Sequence, residues 1–537
     1  MSPSMVCSTR GPTDRVHGFV KLILAGGIVL LLSVQPTLAW ESAHGDRDNS
    51  GFTYAQTALI RGAPLTIPNI GTFATGVAPV TAPDGSVFIG NEQGKMLAFR
   101  ADGTPYWQRD LTRGFSIRTS AVVGRNGAVY VIGSKTVRDH RVTPTVERTE
   151  IRLFAFTSGG GLPWQLTLPT YSNASGAGHA PPNIWQFGDM EAVMVPVTYR
   201  NKYNGGYDTR LFAVSTSGGL MGMVHVGSVV PRTTADVEDS WHNALCKLAL
   251  GGCALIPGFH INLGPPPPYR LPEGTALPFP GMSVEMYPTA GQSPLMVVSD
   301  GFQNVVGYRF SGAAFSELFR VTDESYFRTM LSPPMGSLIS TAKGLQAVSG
   351  VNTSPRMVVK DLRTEIPVTR LFDGRIVAVM RHGALKIIEG NVVTDTIPLE
   401  GETVVSAAAS LNHIFVSTEN AFLTFDIATL QKVSEINWVG GGMVAPAIGR
   451  NGWVYAMASN ILFVFPPLGY TNPLRTTTPV GGGLVGPGMS GGTDAAPSPA
   501  PPPVPSQVPS LAPVPGFQLS PMPYVAPKPA IPLAPTP

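Results

Sequence analysis

The sequence predicts an all-β propeller of seven or eight blades, on three observations. A stretch is repeated: residues 78–107 read APVTAPDGSVFIGNEQGKMLAFRADGTPYW, and residues 120–164 read SAVVGRNGAVYVIGS, an insertion, then LFAFTSGGGLPW, a start-to-start spacing of 42 residues. A unit of that length is a supersecondary element that buries its apolar face only by stacking on its neighbours. Asx-Gly pairs recur between short apolar runs, at Asp84-Gly85, Asn126-Gly127, Asp373-Gly374 and Asn451-Gly452. They signal tight hairpins, whose central residues need positive φ. No stretch sustains a 3.6-residue periodicity, so helices contribute little.

Taken in order, the chain opens with the three parts of a secretory signal peptide. Arg10, Arg15 and Lys21 supply the positive region, residues 22–34 (LILAGGIVLLLSV) the apolar one, and Thr37-Leu38-Ala39 the small-residue exit before Trp40. The apolar run is short for a membrane span. Cleavage after residue 39 with no later span is expected, a retained anchor being the alternative. Residues 40–75 lead in to strand units at 78–111, 120–169, 180–227, 291–320, 335–362, 371–399, 407–438 and 445–467. The middle units are faint, which leaves seven or eight blades. Strands such as Val87-Phe88-Ile89 are apolar on successive residues, as expected where neighbouring blades cover both faces.

An insertion of about 228–290 interrupts the repeats and carries a proline run at 265–268. It is too long for a plain connector. From 476 onward the chain is Gly/Pro-rich, with 16 prolines among residues 497–537, and a disordered tail is expected there.

Charge and cysteines narrow the function classes. The first 39 residues hold Arg10, Asp14, Arg15 and Lys21, so the formal net charge of +3 falls to about +1 without them. A near-neutral chain offers no field for nucleic acid. Cys246 and Cys253 remain after the signal. In an exported chain they read as a disulfide closing a small loop, with free thiols or a redox pair as alternatives. Two cysteines cannot complete a four-ligand zinc site.

Particular residues then suggest a family. Ala78-Pro79-Val80, Asp84-Gly85, Gly94, Leu97-Ala98-Phe99, Asp102-Gly103 and Trp107 in the first unit, with Ala155-Phe156, Gly160 and Trp164 in the second, keep one nine-residue step from Ala to Trp. The pattern resembles the PQQ-like, quinoprotein-type β-propeller repeat. The leader HGDRDNSGF (44–52) looks like the segment that often precedes its first blade. The resemblance implies that Trp107 and Trp164 pack between blades. It does not imply an activity, because such propellers are scaffolds for unrelated functions.

Few chemical constellations stand on that scaffold. A PQQ-dependent dehydrogenase would need Glu, Asn and Asp around calcium, an Asp base and flat apolar faces. Asp300, Asn304, Asp323 and Glu324 are the nearest acid–amide group. Asp46-x-Asp48-x-Ser50-Gly51 opens like a calcium loop, but its twelfth position is Thr57 where a bidentate acid belongs. No nucleophile elbow occurs and the histidines are scattered. The densest titratable group is Asp236, Glu238, Asp239, Trp241 and His242 in the insertion, a candidate interaction loop.

No catalytic residue, metal site or cofactor is therefore expected. The reading is a monomeric, periplasmic or secreted scaffold that binds a protein or glycan partner in the cell envelope. The alternatives are a PQQ- or metal-dependent oxidoreductase and a glycan-binding or glycan-processing module using Trp185, Tyr199, Tyr203 and Tyr207.

Overall fold

A computed structural model describes Gly45 and residues 50–470, except 61–63, 75–76, 140–145, 170–173, 202–206, 230–280, 286–287, 289–290, 302–303, 323–329, 332–336, 342, 350–351, 363, 365, 381 and 439–444. The chain divides into two compact units, residues 1–471 and 472–537, and every described residue belongs to the first. The signal segment, Cys246, Cys253, the 236–242 loop and the proline-rich tail lie outside the described residues.

The described residues form strands and no helix, arranged as an eight-bladed propeller. Blade 1 shows the pattern. Val80–Thr81, Val87–Gly90, Lys95–Phe99 and Pro105–Asp110 pair in order as an antiparallel meander. The first strand is wholly buried, the two middle strands almost wholly, and the last largely exposed. Burial on successive residues follows from blades covering both faces of the sheet. In blades 2 and 3 the inner strand is split in two, and Val129–Asp139, Val146–Phe156 and Met190–Asn201 run longer than their counterparts.

Blades 6 and 7 share one continuous strand, Val392–Ala409, and so form a single seven-stranded sheet. Its first half pairs with His382–Glu389 and its second with His413–Thr418. Gly401, at φ 75, turns the chain between the halves.

Two boundaries differ from the sequence reading. Gly281–Val284, which falls within the expected insertion, is the inner strand of blade 4. Four residues emerging from a proline-rich stretch show too little alternation to be recognised. The lead-in supplies Leu65–Ile67 as the outer strand of blade 8, paired antiparallel with Ile461–Phe465. The ring is thus closed by the N-terminal side of the chain, which protects an edge that would otherwise lie bare.

The leader before that strand crosses blades 6 and 7. Arg370 N donates to Ser50 O at 2.8 Å and Ala409 N to Gly51 O at 2.7 Å, while Thr53 N donates back to Ala409 O at 3.0 Å. Phe52 is buried in the shared core of these two blades. Further on, Thr57 Oγ1 lies 2.9 Å from both Ser410 Oγ and His413 Nδ1, and Asn412 Nδ2 donates to Thr57 O at 2.9 Å.

Burial pushes His413 below the usual histidine range, against a smaller upward pull from Asp426. The unfolded chain therefore takes up this proton at a higher pH than the folded one. Stability from the clasp should be complete above the ordinary histidine pKa and fall as pH drops below it. We expect thermal melts to show a lower Tm at pH 5.5 than at pH 7.5, with a smaller drop in His413→Gln.

Indole rings join the early blades. Trp107 Nε1 donates to Ser158 O in the next blade at 2.7 Å, and its ring lies 5.7 Å from Phe88 and 5.8 Å from Phe156. Gly160, at φ 83, lets the ring approach, since a Cβ there would stand 2.7 Å from it. Trp164 repeats the contact one blade on, donating to Thr216 O at 2.8 Å beside Gly218. At the blade 8 to blade 1 junction a phenol takes the indole's part: Tyr455 OH donates to Ala101 O at 2.8 Å, while Ile67 and Val464 fill the space beside Gly103.

Candidate functional site

Three clusters of polar side chains could carry chemistry, and the geometry decides each. Asp300 and Asn304 meet in the hairpin between the second and third strands of blade 4. Asn304 N donates to Asp300 Oδ1 at 3.0 Å, Asn304 Nδ2 to Asp300 Oδ2 at 2.6 Å, and Thr322 Oγ1 to Asn304 Oδ1 at 3.1 Å. Asn91 holds the matching hairpin of blade 1 in the same way, its Oδ1 accepting from Lys95 N at 2.9 Å. The pair is a turn clamp. Gly227 packs on it so closely that a Cβ would stand 2.6 Å from Asn304. Asp323 and Glu324, like Asp46 and Asp48 of the leader, lie outside the described residues. Ser50 Oγ takes the amide of Phe52 at 3.2 Å.

The second cluster holds a serine, a histidine and an aspartate on the outer strands of blade 3. His225 Nε2 lies 2.9 Å from Asp208 Oδ1 and 2.8 Å from Ser228 Oγ, and Arg210 Nε reaches Asp208 Oδ2 at 2.7 Å. Burial pushes the Asp208 carboxyl above the usual carboxylate range, against the lowering pull of His225. A proton relay needs the two ring nitrogens to face different partners. Here one nitrogen faces both serine and aspartate, so the group is an ion-pair network. The third cluster, Thr57 with Ser410 and His413, is buried and consumed in clasping the leader. Among the described residues, no group of three His, Cys, Asp or Glu side chains has the geometry of a metal site.

The proposed sugar-stacking aromatics are overturned where the structure describes them. Trp185, Tyr199 and Tyr207 are 0%, 2% and 7% exposed, and Tyr203 lies outside the described residues. Their strands are sandwiched between blades, so alternate residues on both faces turn inward. Tyr199 OH donates to Pro169 O at 2.9 Å, as a buried phenol must find a partner.

Among the described residues, two grooves between outer strands offer concave surface at the rim. One, of about 420 Å³, separates the closing strand Leu65–Ile67 from blade 1 and is bordered by Asn69, Gln93, Lys95, Tyr106 and Trp107. The other, of about 620 Å³, lies between the outer strand of blade 6 and the outer half of blade 7. Its floor is apolar, with Leu399, Leu423 and Phe425 buried, and Asp395, Glu402 and Glu435 stand around it. Several of the exposed large apolar side chains also sit on outer strands, among them Tyr106, Leu220, Met223, Leu318 and Val433. Sequence reasoning missed both grooves. Pro398, inside a strand-like run, was the available signal, because proline marks a strand with a free edge.

No family model matches the chain, and no curated protein matches it. Among solved structures, the chain is similar to a europium-containing methanol dehydrogenase, with 11% identity and a TM-score of 0.47 over 80% of this chain and 90% of that one. It is similar to BamB from Moraxella catarrhalis, with 12% identity and a TM-score of 0.34 over 77% and 96% of the two chains. A computationally designed protein, Ika8, aligns at 11% identity and a TM-score of 0.43 over 74% and 99%. At identities this low these likenesses assign no function, which rests on the geometry of the propeller itself.

Proposed function

We propose that the chain is an exported, non-catalytic propeller scaffold of the PQQ-like repeat type that holds extended segments of a partner protein at its rim. The observation that carries this reading is the 620 Å³ groove between blades 6 and 7, with an apolar floor and a polar border. A polar border over an apolar floor suits an extended peptide, whose main chain needs hydrogen-bond partners while its side chains fill the floor. The polar clusters elsewhere support the same reading, because their hydrogen bonds are spent on turns, ion pairs and the leader. Export is supported by the signal-like N-terminus.

Photo-crosslinking in the cells that make the protein tests it. A benzophenone amino acid at Thr396 or Tyr106, beside the two grooves, should yield discrete protein adducts, whereas one at Asp84, on a turn away from both, should not. Rim positions that give no protein adduct would contradict a protein-binding rim.

A further inference from the structure

We propose that the groove between blades 6 and 7 docks an extended segment of a partner protein bearing alternate lysine or arginine side chains. This rests on the scaffold reading and names the partner's chemistry. One wall is the outer part of blade 6, residues 392–399, hydrogen-bonded on one side to His382–Glu389. No strand among the described residues pairs with its other edge. Such an edge accepts an added strand through main-chain hydrogen bonds. Successive side chains of an added strand point to opposite faces, so every second one would reach the groove.

Charge selects which side chains those are. Among the described residues lining the groove, Asp395, Glu402 and Glu435 face one ammonium, Lys432, which already pairs with Glu435 at 2.6 Å. One oxygen of Glu402 is closed off from solvent and has no hydrogen-bond partner among the described residues. A carboxylate oxygen held that way is costly until a donor meets it. Glu402 lines the groove, so a turn of its carboxyl group would present that oxygen to an incoming ammonium or guanidinium. A second sign of use is Leu430, at φ 57 in the turn that borders the groove. The corresponding hairpins of blades 1 to 3, whose turns are one residue shorter, place Gly103, Gly160 and Gly218 at their left-handed position. A bulky residue there is strained, and such strain tends to be kept where a side chain serves a site.

The test uses the full chain and fluorescein-labelled acetyl-(Val-Lys)4-amide, with (Val-Glu)4 as the acidic counterpart, in fluorescence anisotropy. The basic peptide should bind saturably at low ionic strength and more weakly in 300 mM salt. The Glu402→Gln, Glu435→Gln double variant should weaken it at least tenfold, as should Thr396→Arg, which blocks the groove from an exposed position. Asp84→Asn, on a turn away from both grooves, should leave it unchanged. Circular dichroism of each variant separates loss of binding from loss of fold.

Equal binding of the acidic peptide, or basic-peptide binding that the groove variants do not move, would overturn the proposal. So would binding of neither peptide, the outcome if Pro398 and the carboxylates only guard the edge against self-pairing. Binding that weakens equally in Asp84→Asn would overturn it too. In each of these cases rim adducts in the crosslinking experiment would leave the scaffold reading standing. Their absence would sink both.

Discussion

A chain beginning at residue 69 is expected to fold with its ring unclosed and to be markedly less stable. The deletion removes the outer strand of blade 8, baring the edge of Ile461–Phe465, and strips the leader from blades 6 and 7. Loss of the buried Phe52 ring alone costs about 3–5 kcal/mol. The strand contacts add to that, so a fall in Tm on the order of 10 °C is expected. A synthetic peptide spanning residues 50–68 should restore part of it when added to the truncated chain. An unchanged melting curve would mean that the closing strand and leader are accessory to the fold.

The second large effect is expected at Trp107. Its ring lies between blades 1 and 2, stacked at an interplanar angle of 29° on Phe156, and its indole nitrogen is satisfied by Ser158 O. Trp107→Ala leaves a cavity against Gly160 and an unpaired carbonyl in the turn. A loss of about 3–5 kcal/mol in urea unfolding is expected. Trp107→Phe should cost less, about 1 kcal/mol, because it keeps a ring between Phe88 and Phe156 and loses only the bond to Ser158 O. Equal costs of the two substitutions would contradict a packing role for the Trp107 ring between the blades.

These contrasts show what was legible in the chain. The blades were readable because their hairpins need positive φ: Gly85, Gly127, Gly374 and Gly452 sit at 88°, 75°, 88° and 79°. Glycine after an Asx residue records that need in the sequence. The closing strand was not readable, since Leu65–Ile67 is three residues long and sits between Pro64 and Pro68. Its role depends on a partner almost 400 residues away. The phenol that joins blades 8 and 1 was half-visible, because Tyr130 and Tyr455 occupy the same place in the matching phrases GRNGAVY and GRNGWVY.

The candidate site was hidden for a related reason. Asp395, Glu402 and Glu435 come from two blades and stand on outer strands, where solvent-facing side chains follow no pattern. Only the shared strand Val392–Ala409 brings them to one groove. The aromatics near blade 3 misled in the opposite sense. A tyrosine reads as surface-seeking, yet Tyr199 lies on a strand with neighbours on both faces, and its hydroxyl is served from within.

The reading of this propeller as a scaffold stands or falls most directly on a cofactor titration. The purified full chain would be titrated with PQQ and Ca²⁺, following tryptophan fluorescence and dye reduction with alcohols and sugars as substrates. The account expects neither saturable binding nor turnover. Saturable binding with turnover would contradict it and make the protein an oxidoreductase.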